Sequence, residues 1–216
     1  MNSISIFYNI GQIPLPTLFL VPALRLFGRR GYEYLRRRMM TKFYFHEMSI
    51  KGLYIVEPAP FTDARGYFME SYNRREFADA GLTAEFVQDN ESRSARGVLR
   101  GMHFQSKYPQ GKLVRVISGE VFDVAVDLRA GSATYGRWEG VYLSDKNKKM
   151  FYIPEGFAHG FLVISETAVF GYKCTDYYHP EDEGGFIYND ESVGIEWPDV
   201  GGVILSEKDA KLERLI

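Results

Sequence analysis

From Phe43 onward the chain advances in short apolar and aromatic runs separated by turn residues at short intervals, which is the rhythm of an all-β fold. The segment KLVRVISGEVFDVAVDLR, Lys112 to Arg129, carries the signal most clearly and reads as two strands around Ser118-Gly119. In the second of them Phe122, Val124, Val126 and Leu128 alternate with Val121, Asp123, Ala125 and Asp127. Strand side chains change face at every residue, so one face is apolar and the other mixed. Further strand candidates are KGLYIVEP, GYFMESY, WEGVYLS, KMFYIP, GFLVIS and TAVFGYKCTDYY. So many strands must close into a barrel or stack as a sandwich to hide their edges. The helical signal is modest: NRREFADAGL offers an Asn73 cap and a Gly81 stop, and SEKDAKLERL a start at Ser206.

The chain has 216 residues and a net charge of −2, so nothing global draws it to nucleic acid or to an anionic membrane, and a small-molecule partner is expected. Cys174 is the only cysteine, which excludes an intrachain disulfide; it reads as a strand residue in a cytoplasmic protein. The charge is uneven, because Met1 to Arg38 carry six arginines against Glu33, a net +5 that leaves about −7 for the remainder. Within that segment IPLPTLFLVPALRLF holds three prolines and an arginine. It falls short of the ~20 unbroken apolar residues of a membrane helix. A secretory signal would put positive charge before the apolar run, and here it follows. Residues 1–39 are therefore expected to be an N-terminal extension, unstructured or a misassigned start with translation beginning at Met39 or Met40, and 40–216 a single domain. A membrane-surface anchor is the alternative reading of those arginines.

The stretch GVLRGMHFQ, Gly97 to Gln105, has one histidine, His103, where a metal-binding β-barrel would carry a His-x-His pair. IPEGFAHGF supplies Pro154, Gly156 and His159. Two histidines without a carboxylate at matching spacing suit zinc or iron poorly, since these metals take three or more ligands, and no metal is expected. An imidazole titrating near ~6.5 suits proton transfer instead, given a carboxylate to steady its charged form. Arg100, three residues earlier, and Lys112, after Gln110-Gly111, are charges costly to bury unless a ligand meets them. By the two-residue period Tyr172, Cys174, Asp176 and Tyr178 share one strand face, which brings the Tyr172 hydroxyl toward the same barrel. Taken singly, His103 and Tyr172 also fit core packing.

Seven blocks resemble the dTDP-4-dehydrorhamnose 3,5-epimerase family and occur in its order: FTDARGYFMESY, FVQDNESRSARGVLRGMHFQ, QGKLVRVISGEVFDVAVDLR, IPEGFAHGF, YKCTDYY, YNDESVGIEWP and LSEKDA. They fall between Lys51 and Leu212, about three quarters of the chain. The resemblance implies a cupin-like jelly-roll barrel with a few short peripheral helices. It also implies a homodimer in which early strands cross between subunits, and an isomerase that inverts C3 and C5 of dTDP-4-dehydro-6-deoxy-D-glucose without a cofactor. On that pattern His103 is the proton acceptor, Asp209 its carboxylate, Lys112 the group facing the substrate carbonyl and Tyr172 the proton donor. Arg65, Glu70, Gln88, Asn90, Arg100, His159, Glu183 and Lys208 match positions that bind the sugar nucleotide, Glu70 in the partner's site, and Tyr178 matches the aromatic that stacks on thymine. In isolation Arg65 also reads as a turn residue, Glu183 as a loop acid and Lys208 as a solvated helix charge. Met102 and Tyr188 stand where the family often has leucine and tryptophan, changes of apolar bulk away from the proton path. The alternatives are a C3-only or C5-only epimerase and a noncatalytic sugar-nucleotide-binding module; the retained Tyr172 favours double inversion.

Overall fold

A computed structural model of the protein describes residues 42–215, so the expectations for residues 1–39 lie outside the described residues. In chain order its first strands are β1 (Phe43–Glu47), β2 (Tyr54–Pro58), β3 (Phe61–Asp63), β4 (Gly66–Phe68), β5 (Gln88–Ala95), β6 (Leu99–Gln105) and β7 (Lys112–Ser118). They continue with β8 (Glu120–Asp127), β9 (Trp138–Ser144), β10 (Met150–Ile153), β11 (Phe157–Val163), β12 (Thr167–Cys174) and β13 (Glu183–Gly185). A six-stranded sheet has the order β1-β2-β10-β7-β12-β5, a five-stranded sheet the order β13-β6-β11-β8-β9, and β3 with β4 forms a separate hairpin. From β5 to β13 every step except β8 to β9 carries the chain from one sheet to the other, giving the expected cupin-like jelly roll.

The segment Lys112 to Arg129 does fold as two strands around Ser118-Gly119, yet β7 and β8 do not pair with each other. β7 lies between β10 and β12 in one sheet, and β8 between β9 and β11 in the other. The turn between them passes so close to its neighbours that a Cβ on Gly119, whose φ is +84°, would come within 2.2 Å of the Thr167 carbonyl oxygen. Both faces of β8 are buried. Its apolar face packs outward, Phe122, Val124 and Val126 meeting Met102, Phe186 and Val193. Its mixed face looks between the sheets, where Val121 and Ala125 join Val114, Phe151, Phe161 and Phe170 in the main core. Burying Phe151 and Phe170 there contributes roughly 2–3 kcal/mol each.

The helix at Arg74–Asp79, α1, begins as the sequence predicts: the Asn73 side chain accepts from the Arg75 and Glu76 amides. It ends before Gly81, which adopts φ +89°, and its Phe77 anchors it to the outer face of the larger sheet. SEKDAKLERL forms only one 3-10 turn, Asp209–Lys211. Beyond it the chain is pulled extended, because the Glu213 carbonyl accepts from the Ile187 amide and the Leu215 amide donates to Asp190. No helix among the described residues is long and apolar enough to cross a membrane.

Candidate active site

One strand pair sets both histidines. In the antiparallel β6–β11 ladder His103 lies directly opposite His159, and the register shifts between His159 and Phe161. Gly101, at φ +130°, makes that shift possible, since a Cβ there would meet the Gly160 Cα at 2.5 Å. The histidines look into a cavity of about 590 Å³ lined by both sheets and by the 204–209 segment. Every candidate catalytic or ligand-binding residue of the sequence analysis lines this cavity except Arg65 and Glu70.

The His103 Nε2 lies 2.7 Å from Oδ1 of Asp209, a residue 106 positions later and only 5% exposed. The 3-10 turn presents this carboxylate, and the Asp209 amide donates to the Ser206 hydroxyl at 3.0 Å. An ionised carboxylate only accepts, so the contact directs an Nε2–H toward Asp209 and leaves Nδ1 as the nitrogen with a free lone pair. On that side the Glu183 Oε1 stands 4.0 Å away. His159 has its own carboxylate: its Nε2 lies 3.0 Å from both oxygens of Asp123. The sequence reading missed Asp123 as a site residue, although it was legible as an acid on the mixed face of β8. Burial pushes the Asp123 carboxyl up, while the charge and hydrogen bond of His159 and the charge of Lys112 pull it back.

The opposite wall comes from the larger sheet. Lys112 opens β7 across from Cys174 on β12, and Tyr172 stands across from Asn90 on β5. Burial lowers the Lys112 ammonium from the ordinary lysine range, and Cys174, Asp123 and Glu183 act against that. Burial likewise raises the Tyr172 hydroxyl, helped by Cys174 and Glu183 and opposed by Arg100, so Tyr172 keeps its proton. Gln88, Asn90 and Ser92 reach the cavity from β5. This strand has no apolar alternation for a sequence reading to detect, because its inner-face residues Gln88, Asn90 and Ser92 meet the cavity and not the apolar core. Arg100 is steadied by donating to the Ser94 hydroxyl at 3.2 Å.

At the mouth, Glu183 accepts from the Tyr178 hydroxyl and pairs with the Lys208 ammonium. Burial raises its carboxyl, but these hydrogen bonds and the charges of His103 and Lys208 outweigh burial and leave Glu183 below the ordinary range. The hydrogen bond to Glu183, more than burial, pushes the Tyr178 hydroxyl up to about 12. Tyr178 does not share a strand face with Tyr172, since β12 ends at Cys174. It reaches the cavity from a following loop. Arg65 and Glu70 stand apart: Arg65 pairs with Asp63 on the β3–β4 hairpin with its side chain 90% exposed, and Glu70 accepts from the Asn73 amide group. Among the described residues no three His, Cys, Asp or Glu side chains gather as a metal-ligand set.

A sequence model of the dTDP-4-dehydrorhamnose 3,5-epimerase family matches residues 47–216. The dTDP-4-dehydrorhamnose 3,5-epimerase of Methanothermobacter thermautotrophicus is 58% identical over 172 residues, covering 79% of this chain and 93% of the relative. The crystal structure of dTDP-6-deoxy-D-glucose-3,5-epimerase from Legionella pneumophila in complex with dTDP-4-keto-L-rhamnose superposes with a TM-score of 0.78 at 53% identity, covering 80% of this chain and 92% of that one. A 3'-monoepimerase from Streptomyces bikiniensis in complex with dTDP-quinovose is also similar, with a TM-score of 0.74 at 32% identity, covering 78% of this chain and 86% of that one.

Proposed function

The chain belongs to the dTDP-4-dehydrorhamnose 3,5-epimerase family, and on that premise we propose that it converts dTDP-4-dehydro-6-deoxy-D-glucose to dTDP-4-dehydro-L-rhamnose in dTDP-L-rhamnose biosynthesis. The observation that carries this reading is the placement of the His103–Asp209 pair on one wall of the cavity and Tyr172 on the other, with Lys112 beside them. The substrate's C4 carbonyl acidifies the C–H bonds at C3 and C5. His103 takes each proton through Nδ1, and Asp209 stabilises the imidazolium that results. The enolate oxygen develops negative charge, which the buried Lys112 ammonium stabilises where water screens it little. Inversion requires the new proton to arrive on the face away from His103; the Tyr172 hydroxyl delivers it, and exchange with solvent then takes the proton from His103 and returns one to Tyr172 before the second carbon reacts. Arg100 and Lys208 neutralise the diphosphate, for which a guanidinium is suited by its two parallel donors. Gln88, Asn90, His159 and Glu183 hold the rest of the ligand, and Tyr178 stacks on thymine.

Arg65 and Glu70 act in a second copy's site within a cytoplasmic homodimer. What supports this is the exposed β3–β4 hairpin, which carries Arg65 between Phe61, 67% exposed, and Phe68, 69% exposed. The decisive experiment is incubation with dTDP-4-keto-6-deoxyglucose in D₂O, read by NMR. Deuterium at both C3 and C5 with formation of the L-rhamno product is the expected outcome. Exchange confined to one carbon makes the chain a monoepimerase instead, and no exchange at either makes it a binding module.

A further inference from the structure

Gln105 ends β6 two residues after His103, and its side chain is buried at 7% exposure in the cavity wall. Its amide nitrogen donates to the Tyr177 carbonyl at 3.2 Å, and its amide oxygen accepts from the His179 backbone N–H at 2.9 Å. These groups flank Tyr178 on either side, so one carboxamide grips the main chain before and after it. The Tyr178 amide is itself held by the Gln88 side chain at 3.1 Å. The same Gln105 nitrogen also donates to the Tyr108 carbonyl at 2.6 Å, in the loop before Gly111. The Tyr108 ring stacks on His179 with centroids 4.0 Å apart, and Asp182 accepts from the Lys107 and Tyr108 amides. The loop before Gly111 and the loop after Cys174 lie side by side at the end of the β7–β12 ladder, and Gln105 bonds to both.

We propose that Gln105 is a positioning residue for the nucleobase subsite: it fixes the backbone on both sides of Tyr178 and so presents that ring, already ordered, to the base of the bound nucleotide. The inference rests on the nucleotide-sugar reading of this cavity. Stacking on an aromatic ring gains most when the ring is held before the ligand arrives, because the ordering cost is then not charged to binding. Without Gln105 the part-buried Tyr177 carbonyl and His179 N–H turn to water, and the loop that carries Tyr178 loosens. The side chain touches no reacting atom, so its loss falls on nucleotide affinity rather than on proton transfer.

The test compares dTDP binding by calorimetry, and steady-state kinetics, for the wild-type chain, Gln105→Met, Tyr178→Ala and the double variant. Methionine matches glutamine in length and makes none of the three contacts. The expected result is a rise of about 10- to 100-fold in the dTDP dissociation constant and in KM, with most of the loss in KM rather than kcat. In the Tyr178→Ala background Gln105→Met then adds little, because it acts through the ring already removed. Wild-type dTDP affinity in Gln105→Met, a fully additive loss in the double variant, or a loss confined to kcat overturns the proposal. If Gln105→Met does not yield folded protein, Gln105→Glu carries the same test. It keeps the acceptor for His179 and loses the donors for Tyr108 and Tyr177, so dTDP binding weakened by at least about tenfold supports the proposal and unchanged binding overturns it. Failure of the wild-type chain to bind dTDP is a separate result that defeats the nucleotide reading itself.

Discussion

Asp209→Asn isolates what the carboxylate does for His103. The two side chains meet at 2.7 Å, with Asp209 5% and His103 30% exposed, so solvent screens the pair only in part. Both charges are delocalised, which puts their centres roughly 4 Å apart, and at an effective dielectric of about 20 the attraction between carboxylate and imidazolium is about 4 kcal/mol. Asparagine is nearly isosteric and restores a neutral hydrogen bond of about 1 kcal/mol. The imidazolium formed on proton abstraction therefore loses about 2–3 kcal/mol of stabilisation, which slows abstraction by about 30- to 200-fold. The assay is the initial rate of deuterium uptake at C3 and C5 of saturating dTDP-4-keto-6-deoxyglucose in D₂O. Both rates fall by the same factor, since one base serves both carbons, while dTDP affinity stays within about threefold because Asp209 holds the base and not the nucleotide. A loss smaller than about fivefold, or a loss at one carbon alone, refutes the reasoning.

Tyr172→Phe removes only the donor hydroxyl; net inversion falls by about 10²- to 10⁴-fold while solvent exchange survives in part, measured by comparing product formation with deuterium uptake. Activity persists through thorough chelation, since among the described residues no three His, Cys, Asp or Glu side chains gather as a metal-ligand set and the Lys112 ammonium faces the enolate instead. Loss with EDTA and recovery with one divalent metal returns both histidines to ligand duty. Asp127 accepts hydrogen bonds from Arg129, Ser132 and Thr134, which overcome burial and hold its carboxyl far below the ordinary range. Asp127→Asn costs about 2 kcal/mol, or roughly 4–8 °C in Tm, at neutral pH. A folded pKa depressed in this way gives stability that is full above about pH 4, where the unfolded carboxyl is ionised, and is lost as pH falls toward the folded value. Thermal melts of the two proteins therefore converge on acidification, and a constant difference down to pH 2 contradicts the assignment.

The strand rhythm after Phe43, the capped turn at Asn73 and the alternation in β8 are local facts, and local periodicity is enough to say which side chains share a face. The missing His-x-His and the single histidine in GVLRGMHFQ were equally readable, and with the quoted blocks they named most of the cavity's lining. Periodicity says nothing about which strands pair. β7 and β8, one glycine apart, belong to different sheets because their partners come from β10, β12, β9 and β11, and those ladders are hydrogen-bonded contacts between residues far apart in the chain. The same limit hid β5, whose polar inner face answers to a cavity rather than to a core, and Asp123, whose partner His159 is 36 residues away. It also misplaced Tyr178, which the strand period would have carried on from Tyr172 but which a loop and the Gln105 amide bring to the site. The residue types able to carry the chemistry were fixed by the sequence alone. Their meeting, His103 with Asp209 across 106 positions and Tyr172 on the facing wall, was decided by how two sheets close on one another. That closure follows from burying the apolar faces of both sheets together, a free energy that belongs to the whole assembly of strands and to no segment of it.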